Sequence, residues 1–574
     1  MKIITLHCDY IKFKALKKAL KSAEELQNKE EIEVKEPLVV LTAVEKGDDS
    51  EKIKELVSAV KKTAEEVKAK NIVLYPYAHL SSNLSSPDLA LQILVEAEKE
   101  LSQQKFNVTR APFGYYKEFE LKCKGHPLSE LSKEFKSGVS EEKSQIIKIK
   151  DNENIDINKL LNEISRSKLD TSKLKENDHR ILGQKLDLFS FNEVAPGMVF
   201  WHSNGLTIYN ELINFWREEH QKANYKEIRT PQIMDSKLWK ISGHWDKYKE
   251  NNFVTGYESR PFLVKPMNCP GGMLVYKAST KSYRDLPLRV GEMGLVHRTE
   301  LSGVLAGLFR LIQFTQDDAH LFCANEKQAE EEIIGISNLI KKFYEKFGLK
   351  FDNIELSTRP EKRMGSDKMW DTAENLLESA LKKMKVKYKI NKGDGAFYGP
   401  KIDFHIKDSL GRSWQLSTIQ LDFSMPERFD LEYTGEDNKK HRPIMLHRVI
   451  YGAVERFIGI LLEHTNGALP TWLSPVQVKV INFTDRNVKS CEKIIEELKS
   501  EIPNLRVEAD FRNTTVSDKV RDAEIHKIPH IIVIGDKEEE NNTLAVRERG
   551  QKPKFKLDKK EFISNLKNEI EERK

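Results

Sequence analysis

The sequence predicts a protein of several domains with mixed α/β and α+β architecture. A chain of 574 residues is too long for a single hydrophobic core. Strand-like and helix-like stretches alternate over residues 1–140 and again over residues 473–574, which is typical of α/β domains. Between them, residues 178–472 hold runs of short strands set apart from long helices. This arrangement indicates an antiparallel sheet with flanking helices.

Residues 1–140 are predicted to form a compact α/β domain. The stretches IITLHCDY, PLVVLTAVEK and NIVLYPY predict strands, and NVTRAPFGYY and KEFELKC predict two further extended segments. Apolar residues at steps of three and four predict one helix over residues 53–67 and another over residues 89–101. The polar segment 141–177 that follows is predicted to be a linker.

Residues 178–472 form the largest predicted domain, and residues 473–574 form the last. Long helices are expected near 205–223 and 326–347, and short strands in PFLVKPM, LPLRVGEM, LFRLIQFT, KIDFHIKD and SWQLSTIQLDF. The final hundred residues alternate strand and helix from VQVKVINF onward, as in a small mixed α/β domain.

Composition and hydropathy argue against a membrane protein and against a disulfide-linked secreted protein. The chain has 94 Lys and Arg against 89 Asp and Glu, so its net charge of +5 permits an anionic partner without requiring one. No apolar run reaches membrane-spanning length, and the N-terminus reaches Asp9 too soon for a signal peptide. Five scattered cysteines predict no disulfide framework and favour a reducing cytoplasm.

The segment HRTELSGVLAGLFRLIQFTQDDAH is the first candidate for chemistry. Arg298 and Glu300 precede a loop of small residues, and Arg310 follows it. Two strands joined by such a loop can present two arginines to one phosphate, which arginine binds in a bidentate manner. For the arginine pair alone, surface charge on a hairpin is the commoner outcome.

A later segment, HRVIYGAVERFIGILLEH, places an arginine among apolar residues. On a helix, Arg456 would share one face with Val449, Ala453 and Ile460. A charge in that position needs an anionic partner. Either an internal carboxylate such as Glu455 or Glu463, or the phosphate of a nucleotide, would satisfy it, and the helix alone does not decide between them.

Three further residues suggest a metal site. Cys269, His320 and His447 each lie beside an apolar or turn segment, and a cysteine with two histidines is a suitable zinc set that leaves one coordination position open. Their separation in sequence is unlike that of a zinc finger. For either histidine taken alone, a hydrogen-bonded core position is the commoner outcome.

Together these stretches resemble the threonyl-tRNA synthetases, a family of class II aminoacyl-tRNA synthetases. IRTPQIMD, with Pro231, resembles class II motif 1, HRTELSGVLAGLFRLIQFTQDDAH resembles motif 2, and HRVIYGAVERFIGIL resembles motif 3. AFYGPKIDFHIKDSLGRSWQLSTIQLDF is similar to a stretch specific to the threonyl enzymes. The resemblance covers nearly the whole chain and implies a class II catalytic domain between an archaeal-type editing domain and an anticodon-binding domain.

The resemblance implies a role for each matching residue of the catalytic domain. Arg298 would hold the α-phosphate of ATP and the activated carboxylate, Glu300 would meet the adenine, and Arg310 and Arg456 would bind the outer phosphates, with Mg²⁺ accompanying ATP. The matching residues of the amino-acid and adenylate pocket are Gln316, Asp318, Tyr398, Lys401, Gln415 and Gln420.

By the same resemblance, Cys269, His320 and His447 would bind one Zn²⁺ per subunit. The metal would take the amino group and hydroxyl of L-threonine, and Asp318 would accept a hydrogen bond from that hydroxyl. Valine lacks the hydroxyl and would be rejected. Serine keeps it, and the missing methyl group gives a discrimination of only roughly 10–200-fold, so a second, hydrolytic site is expected.

That hydrolytic site would lie in residues 1–140, which resemble the archaeal-type editing domain and D-aminoacyl-tRNA deacylases. The matching stretches include LHCDYIKF, LYPYAHLSS and APFGYYKEF. The residues that would line the pocket for mischarged L-seryl-tRNA(Thr) are Val44, Ala78, His79, Tyr116, Lys117 and Glu130. Without the resemblance, these residues would be interpreted as ordinary turn and surface positions.

In the last domain, Glu538 and Arg547 match positions that contact anticodon bases, although KEEENN alone is typical of a solvated turn. The motif 1 resemblance also implies a homodimer. Three alternatives remain: a class II synthetase for another small amino acid, a non-catalytic RNA-binding relative, and a deacylase whose synthetase part only binds tRNA. The candidate zinc triad argues against the first, and the three arginines argue against the second.

Overall fold

The structure is a computed structural model that describes residues 1–20, 23, 26, 30–46, 48–81, 83–135, 174–247 and 252–574. The chain divides into two compact units, which run from residue 1 to 143 and from residue 144 to 574. All but the last four residues of the predicted linker lie outside the described residues. Within the described ranges, no helix is long and apolar enough to cross a bilayer.

The first unit is a mixed sheet with helices on one face. Its strands are β1 (Lys2–Lys18), β2 (Ile32–Lys35), β3 (Pro37–Ala43), β4 (Asn71–Pro76), β5 (Asn107–Arg110), β6 (Tyr115–Cys123) and β7 (Glu130–Glu134). Its helices are α1 (Ser50–Val67) and α2 (Pro87–Gln103). The strand order is β2-β1-β3-β4-β5. Strands β3, β4 and β5 are parallel, and β6 and β7 pair antiparallel with the long β1.

The period-two alternation of the central strands separates two hydrophobic clusters. One cluster packs against α1 and α2 through Leu38, Val40, Ile72 and Leu74. The intervening residues form the other cluster, namely Val39, Leu41, Val73 and Tyr75. Because β3 and β4 are parallel, the residues that follow them meet at one edge of the sheet.

The second unit begins with the large predicted domain. Its strands are β8 (Phe189–Ser190), β9 (Phe200–Trp201), β10 (Lys226–Glu227), β11 (Ile233–Asp235), β12 (Val254–Tyr257), β13 (Arg260–Val264), β14 (Leu288–His297), β15 (Gln313–Cys323), β16 (Lys350–Ser357), β17 (Lys389–Asn391), β18 (Lys401–Lys407), β19 (Ser413–Asp422), β20 (Tyr433–Thr434), β21 (Lys440–His441) and β22 (Ile444–Val449). Its helices are α3 (His179–Lys185), α4 (Ser203–Lys222), α5 (Ser236–Ser242), α6 (His244–Lys247), α7 (Cys269–Lys277), α8 (Glu326–Lys346), α9 (Asp367–Lys383), α10 (Ser424–Arg428) and α11 (Val454–Thr465).

A large, mainly antiparallel sheet organises this part of the unit, with strand order β10-β14-β15-β22-β19-β18-β16-β17. One face packs against α4, α8, α9 and α11 in a continuous core that includes Leu321, Leu446, Ile419 and Ile402. Many alternate residues of the same strands point to the opposite face and are polar, among them His320, His447, Gln420 and Lys401. The predicted antiparallel sheet with flanking helices is therefore confirmed.

The same unit ends in a smaller α/β fold. Its strands are β23 (Val478–Asn482), β24 (Val507–Asp510), β25 (His530–Ile534), β26 (Thr543–Glu548) and β27 (Lys554–Asp558), in the order β24-β23-β25-β26-β27. Its helices are α12 (Val488–Glu501), α13 (Val516–Ile525), α14 (Asp536–Asn541) and α15 (Lys559–Glu571). Arg506 joins this part to α4 through an ion pair of 2.8 Å with Glu211.

The structure corrects three local predictions. LFRLIQFT is only partly strand: Gly307–Phe309 is a 3-10 turn, opened by the positive φ of Gly307, so Arg310 lies in a turn before β15. Helix α11 starts at Val454, which leaves Val449 in β22 and Ala453 as the N-cap, so the predicted helical face that included both is wrong. KEEENN lies largely in α14 rather than in a turn.

Candidate functional site

A row of polar side chains crosses four adjacent strands on the polar face of the large sheet. His320 on β15 is directly opposite His447 on β22, His447 is opposite Gln420 on β19, and Gln420 is opposite Lys401 on β18. Residues opposed across antiparallel strands lie on one face, so the register alone brings these four positions together. They are far apart in sequence, which is why no local pattern predicts the row.

Cys269, the first residue of α7, completes a compact cluster with His320 and His447. One ligand atom from each of the three lies within 4.8 Å of the others, and all three residues are buried. His447 Nε2 is 2.9 Å from Asp422 Oδ2, the kind of second contact that orients a metal-binding histidine. His320 Nε2 is buried without a hydrogen-bond partner among the described residues. An orphaned buried nitrogen beside a thiol and a second imidazole fits a zinc site.

Asp318 lies beside this cluster, two residues before His320 on the same face. Its Oδ2 accepts a hydrogen bond of 3.3 Å from Asn268 Nδ2, and its Oδ1 is 3.6 Å from His320 Nε2. Burial raises the pKa of Asp318, while the charges of His447 and Arg298 act in the opposite direction. Asn268, the residue before Cys269, is fully buried and was not predicted from the sequence.

Lys401 and Gln415 are both held by Asp403, a residue that sequence reasoning missed. Asp403 is buried and accepts hydrogen bonds from Gln415 Nε2 at 2.6 Å and Thr418 Oγ1 at 2.9 Å. It also accepts one from Ser357 Oγ at 2.7 Å, and Lys401 Nζ lies 2.9 Å from its Oδ2. Burial by itself would lower the pKa of Lys401, but the charges of Asp403 and Asp394 raise it. The acid in KIDFHIKD, on the same face as Lys401, was the available sequence signal.

Tyr398 and Gln316, the remaining predicted pocket residues, lie beside the row, and Gln420 within it is held by the backbone. The Tyr398 ring centroid is 5.6 Å from that of His447. Gln420 Nε2 donates to the carbonyl of Gly399 at 3.2 Å. Gln316 lies on the polar face of β15 and forms an isolated bridge with Ala453 at the start of α11.

The predicted arginines lie around the end of the β14–β15 hairpin. Arg298 follows β14, and its Nε donates to the carbonyl of Pro266 at 3.1 Å. Arg310 pairs with Glu300 at 2.9 Å. Arg456 Nε donates to the carbonyl of Phe309 at 2.8 Å. Burial lowers the pKa of Arg456, and the nearby charges of Arg310 and Arg298 lower it further.

Neither internal carboxylate considered for Arg456 is its partner. Glu455 Oε2 accepts from Thr315 N at 2.8 Å, and Glu463 accepts from His179 and Arg412. Among the described residues, Arg456 therefore has no ion pair with a carboxylate. Three arginines gathered at one place, one of which has no carboxylate partner among the described residues, form a site suited to a polyphosphate.

Asp317 is another residue that the sequence reasoning passed over. It alternates with Gln316 and Asp318, so it points away from the site into the core. Its carboxylate accepts from Ile450 N at 2.8 Å and Gly452 N at 2.9 Å and thereby fixes the turn before α11. Burial raises the pKa of Asp317 to about 7. The two adjacent acids of FTQDDAH therefore lie on opposite faces of β15. Asp317 holds the turn before α11, and Asp318 lies beside the Cys269, His320 and His447 cluster.

In the first unit, several predicted editing residues meet at the carboxyl edge of β3 and β4. Val44 follows β3, and Ala78 and His79 begin a 3-10 turn after β4. Lys117 connects to them through aromatic contacts that the sequence reasoning missed. The Lys117 Nζ is 5.2 Å from the centroid of the Tyr75 ring. The Tyr75 and Tyr77 ring centroids are 6.4 Å apart, and the Tyr77 and His79 ring centroids are 5.5 Å apart.

Lys117 is the most perturbed of these residues. Burial lowers the pKa of its ammonium group to about 8. Its Nζ donates to the carbonyls of Pro112 at 2.9 Å and Tyr115 at 3.2 Å. Tyr116, the next residue back on β6, is exposed beside Lys17, and Glu130 is exposed at the start of β7. Tyr116 and Lys117 therefore point to opposite faces of their strand.

The predicted anticodon residues lie toward opposite ends of β25. Glu538, in α14 after the strand, accepts a hydrogen bond of 3.1 Å from Gly535 N. Arg547 is paired in register with Ile531 near the start of the strand, and its Nη1 is 2.7 Å from Glu524 Oε1. Both side chains thus have intramolecular partners that an RNA would have to displace.

The central antiparallel sheet, the arginines at the end of its hairpin and the polar row together define a class II aminoacyl-tRNA synthetase core. Residues 253–465 match the family described as tRNA synthetase class II core domain (G, H, P, S and T). Residues 1–135 match the archaea-specific editing domain of threonyl-tRNA synthetase, and residues 477–569 match an anticodon binding domain.

Individual relatives show which family of class II synthetases the chain resembles. A threonine–tRNA ligase of Clostridium botulinum is 56% identical over 396 residues, 69% of this chain and 62% of the relative. A solved RNA binding domain of threonyl-tRNA synthetase from Cryptosporidium parvum is 40% identical, with a TM-score of 0.65, over 68% of this chain and 97% of that chain. The chain belongs to the threonyl-tRNA synthetase family.

The chain spans about 62% of the length of the curated relatives that it matches. A prolyl-tRNA synthetase of Cryptosporidium parvum, with 17% identity and a TM-score of 0.54 over 69% of this chain, shares the fold alone.

Proposed function

We propose that the protein is a threonine–tRNA ligase that activates L-threonine with ATP and transfers it to the 3′ end of tRNA(Thr). The observation that carries this proposal is the group of Arg298, Arg310 and Arg456 around one hairpin end. Burial lowers the pKa of the half-buried Arg456, and the charges of Arg310 and Arg298 lower it further. A polyphosphate relieves that repulsion, so the group favours ATP with Mg²⁺ over an uncharged ligand.

In the proposed reaction, the carboxylate of threonine attacks the α-phosphorus of ATP and pyrophosphate leaves. Arg298 neutralises charge at the α-phosphate, Arg310 and Arg456 bind the departing phosphates, and Glu300 contacts the adenine. Lys401 and Gln415, held by Asp403, orient the carboxylate and adenylate, together with Gln316, Tyr398 and Gln420. These side chains act by positioning and charge neutralisation, and no covalent protein intermediate is needed.

We propose that Cys269, His320 and His447 hold one Zn²⁺. The orphaned Nε2 of His320 and the contact between His447 and Asp422 support this assignment. The metal would supply coordination positions for the amino group and hydroxyl of threonine. Asp318, oriented by Asn268, would accept the hydroxyl proton in a hydrogen bond and so exclude valine.

We propose that residues 1–140 hydrolyse L-seryl-tRNA(Thr). The group linked through Tyr75 and Tyr77, with Lys117 at one end and His79 at the other, is the supporting observation. The family resemblance adds four further residues that would line this pocket, namely Val44, Ala78, Tyr116 and Glu130.

The remaining proposals concern partners and location. Glu538 and Arg547 would contact anticodon bases. A homodimer is supported by exposed apolar side chains on the small sheet that begins within the motif 1 stretch, including Ile233 and Tyr257, which are 54% and 59% exposed. Free, scattered cysteines support a cytoplasmic location.

Amino-acid-dependent ATP–pyrophosphate exchange tests the ligase proposal. We expect exchange with threonine, weaker exchange with serine and none above background with valine. Zinc content of the purified protein is measured on the same sample. Exchange that prefers proline or glycine would assign the protein to another class II specificity, and absence of exchange in zinc-loaded protein would overturn the ligase proposal.

A separate assay tests the editing proposal. Wild-type protein and the Arg298→Ala variant are incubated with preformed Ser-tRNA(Thr) and Thr-tRNA(Thr). We expect both proteins to release serine and to spare threonine, while only the wild type charges tRNA. Equal hydrolysis of the two substrates would contradict a serine-specific editing site.

A further inference from the structure

A buried histidine outside the matched core region contacts the turn between Arg298 and Arg310. His179 is the first residue of α3, lies before residue 253 and is 1% exposed. Its Nε2 accepts a hydrogen bond of 2.9 Å from Leu308 N. Gly307 permits this approach, because a Cβ atom there would lie 2.2 Å from His179 Nε2.

The partners of His179 fix its tautomer. A backbone N–H can only donate, so Nε2 carries no proton and Nδ1 carries one. His179 Nδ1 lies 2.7 Å from Glu463 Oε1, and the backbone N of His179 donates to the same oxygen at 3.0 Å. Although Asp178, His179 and Glu463 lie close enough to suggest a metal, both ring nitrogens are used, so the trio is a hydrogen-bond network.

Glu463 is held as an anion at the far end of this network. Burial raises its pKa, but hydrogen bonds from His179 and Arg412 outweigh burial and hold the pKa of Glu463 below its ordinary value. Arg412 Nη2 is 2.5 Å from Glu463 Oε2, and Arg412 Nε is 2.6 Å from Asp408 Oδ2. A neutral imidazole between an anchored carboxylate and a backbone amide forms a rigid link.

The same turn is joined to α11 at a second point. The carbonyl of Phe309 accepts from Arg456 Nε, and the Phe309 ring lies 4.2 Å from the His179 ring. Arg456 and Glu463 are seven residues apart on α11, about two helical turns, so they lie on the same side. Gly459 lies between them, and a Cβ atom there would come within 3.0 Å of the Phe309 ring.

We propose that His179 is a positioning residue for ATP binding, because it holds the Gly307–Phe309 turn against α11 and thereby orients the Phe309 carbonyl, Arg456 and the start of the Arg310 segment. This inference rests on the proposed function, since it assumes that Arg456 and Arg310 bind phosphates. His179 is 1% exposed, so its effect on a bound nucleotide is transmitted through Leu308 and Phe309.

The proposal predicts a selective kinetic defect. His179→Ala leaves the Leu308 N–H and Glu463 without their buried partner, a loss that corresponds to about 5–100-fold in an equilibrium. We therefore expect KM for ATP in threonine-dependent exchange to rise about tenfold or more, with KM for threonine changed less than about twofold. His179→Gln retains an amide acceptor and donor and should recover part of the affinity for ATP.

Hydrogen–deuterium exchange of the full-length protein provides a readout that does not depend on activity. We expect His179→Ala to accelerate exchange in the peptide over residues 304–312 about tenfold or more. The matched control is His441→Ala, which removes an exposed histidine 2.8 Å from Asp437. It should change neither the deuterium exchange of residues 304–312 nor the KM for ATP. If His179→Ala does not fold, Glu463→Gln is used with the same two measurements.

The outcomes separate this inference from the proposed function. Unchanged protection of residues 304–312 overturns the inference. Lost protection with equal changes in KM for ATP and threonine also overturns it, because a general loosening would move both. Absence of ATP–pyrophosphate exchange activity in the wild type overturns the ligase function. The hydrogen–deuterium measurement still tests whether His179 holds the turn.

Discussion

His320 and His447 occupy directly opposed positions on two neighbouring antiparallel strands, and their ring centroids are 5.0 Å apart. Cys269 reaches the same place from the start of α7. Rings fixed by sheet register need little rearrangement to bind a cation, which favours a preorganised metal site.

Replacement of Cys269 by alanine should abolish zinc binding and threonine activation together, because a thiolate ligand is lost from a three-residue set. Metal analysis of the purified protein and ATP–pyrophosphate exchange provide the measurements. Cys323→Ala is the matched control: Cys323 is a fully buried core residue three positions after His320 on β15. The control should keep its zinc and lose only about 1 kcal/mol of stability. Full zinc content in Cys269→Ala would exclude this cluster as the site.

Asp403→Asn should reduce threonine activation and move its alkaline pH limit to lower pH. The variant leaves Lys401 without its nearest carboxylate, and burial alone lowers the pKa of this lysine. Loss of the buried pair should cost about 3 kcal/mol, which corresponds to roughly 100-fold in rate if all of it appears in the transition state.

The rate of threonine-dependent exchange between pH 6 and pH 10 tests this second prediction. Asp394→Asn serves as the control, because Asp394 is half-exposed and lies 3.2 Å from Lys401, so its removal should cause a smaller shift in the same direction. An unchanged alkaline limit in Asp403→Asn would mean that the charge of Lys401 is not required.

Glu455→Gln should stabilise the protein increasingly as pH rises. Burial raises the pKa of Glu455 from 4.5 to about 7, against the opposing hydrogen bonds from Thr315. Between these pH values the folded protein keeps a proton that the unfolded chain has lost, so wild-type stability falls with rising pH. Glutamine stays neutral throughout, and its advantage over the wild type should approach about 3 kcal/mol above pH 7.

Urea unfolding at pH 5, 6, 7 and 8 measures this effect as the difference in midpoint between variant and wild type. Glu331→Gln, at an exposed position of α8, should show a difference that does not change with pH. A pH-independent difference for Glu455→Gln as well would show that Glu455 has an ordinary pKa in the folded protein.

Lys117→Met should slow hydrolysis of Ser-tRNA(Thr) and leave threonine activation unchanged. Since burial lowers the pKa of Lys117 to about 8, the ammonium form that donates to the Pro112 and Tyr115 carbonyls is lost above that pH. Wild-type hydrolysis should therefore fall above pH 8 after correction for the hydroxide-catalysed background. Lys122→Met, at an exposed lysine on the same strand, is the control. Hydrolysis of Ser-tRNA(Thr) by Lys117→Met at the wild-type rate would show that Lys117 is not needed for editing.

Sequence reasoning predicted the fold class and several long helices, and it did not predict which side chains contact one another. Helices α1, α2, α4 and α8 follow from apolar periodicity, because each buries one continuous stripe. It missed His179, since nothing local distinguishes a buried histidine with several partners from a solvated one, and it missed Asp403 although strand alternation places it on the same face as Lys401. It misplaced the start of α11, because the turn before it is fixed by Asp317, more than 130 residues away along the chain.

The sequence by itself determined the architecture, the family resemblance and the residue types available for binding a metal and phosphates. Tertiary structure decided which of them meet. The register of β15, β22, β19 and β18 placed His320, His447, Gln420 and Lys401 in one row. Strand alternation turned Asp317 toward the core and Asp318 toward the site. The physical reason is that local periodicity fixes which face a residue takes, whereas pairing between distant strands fixes what it faces.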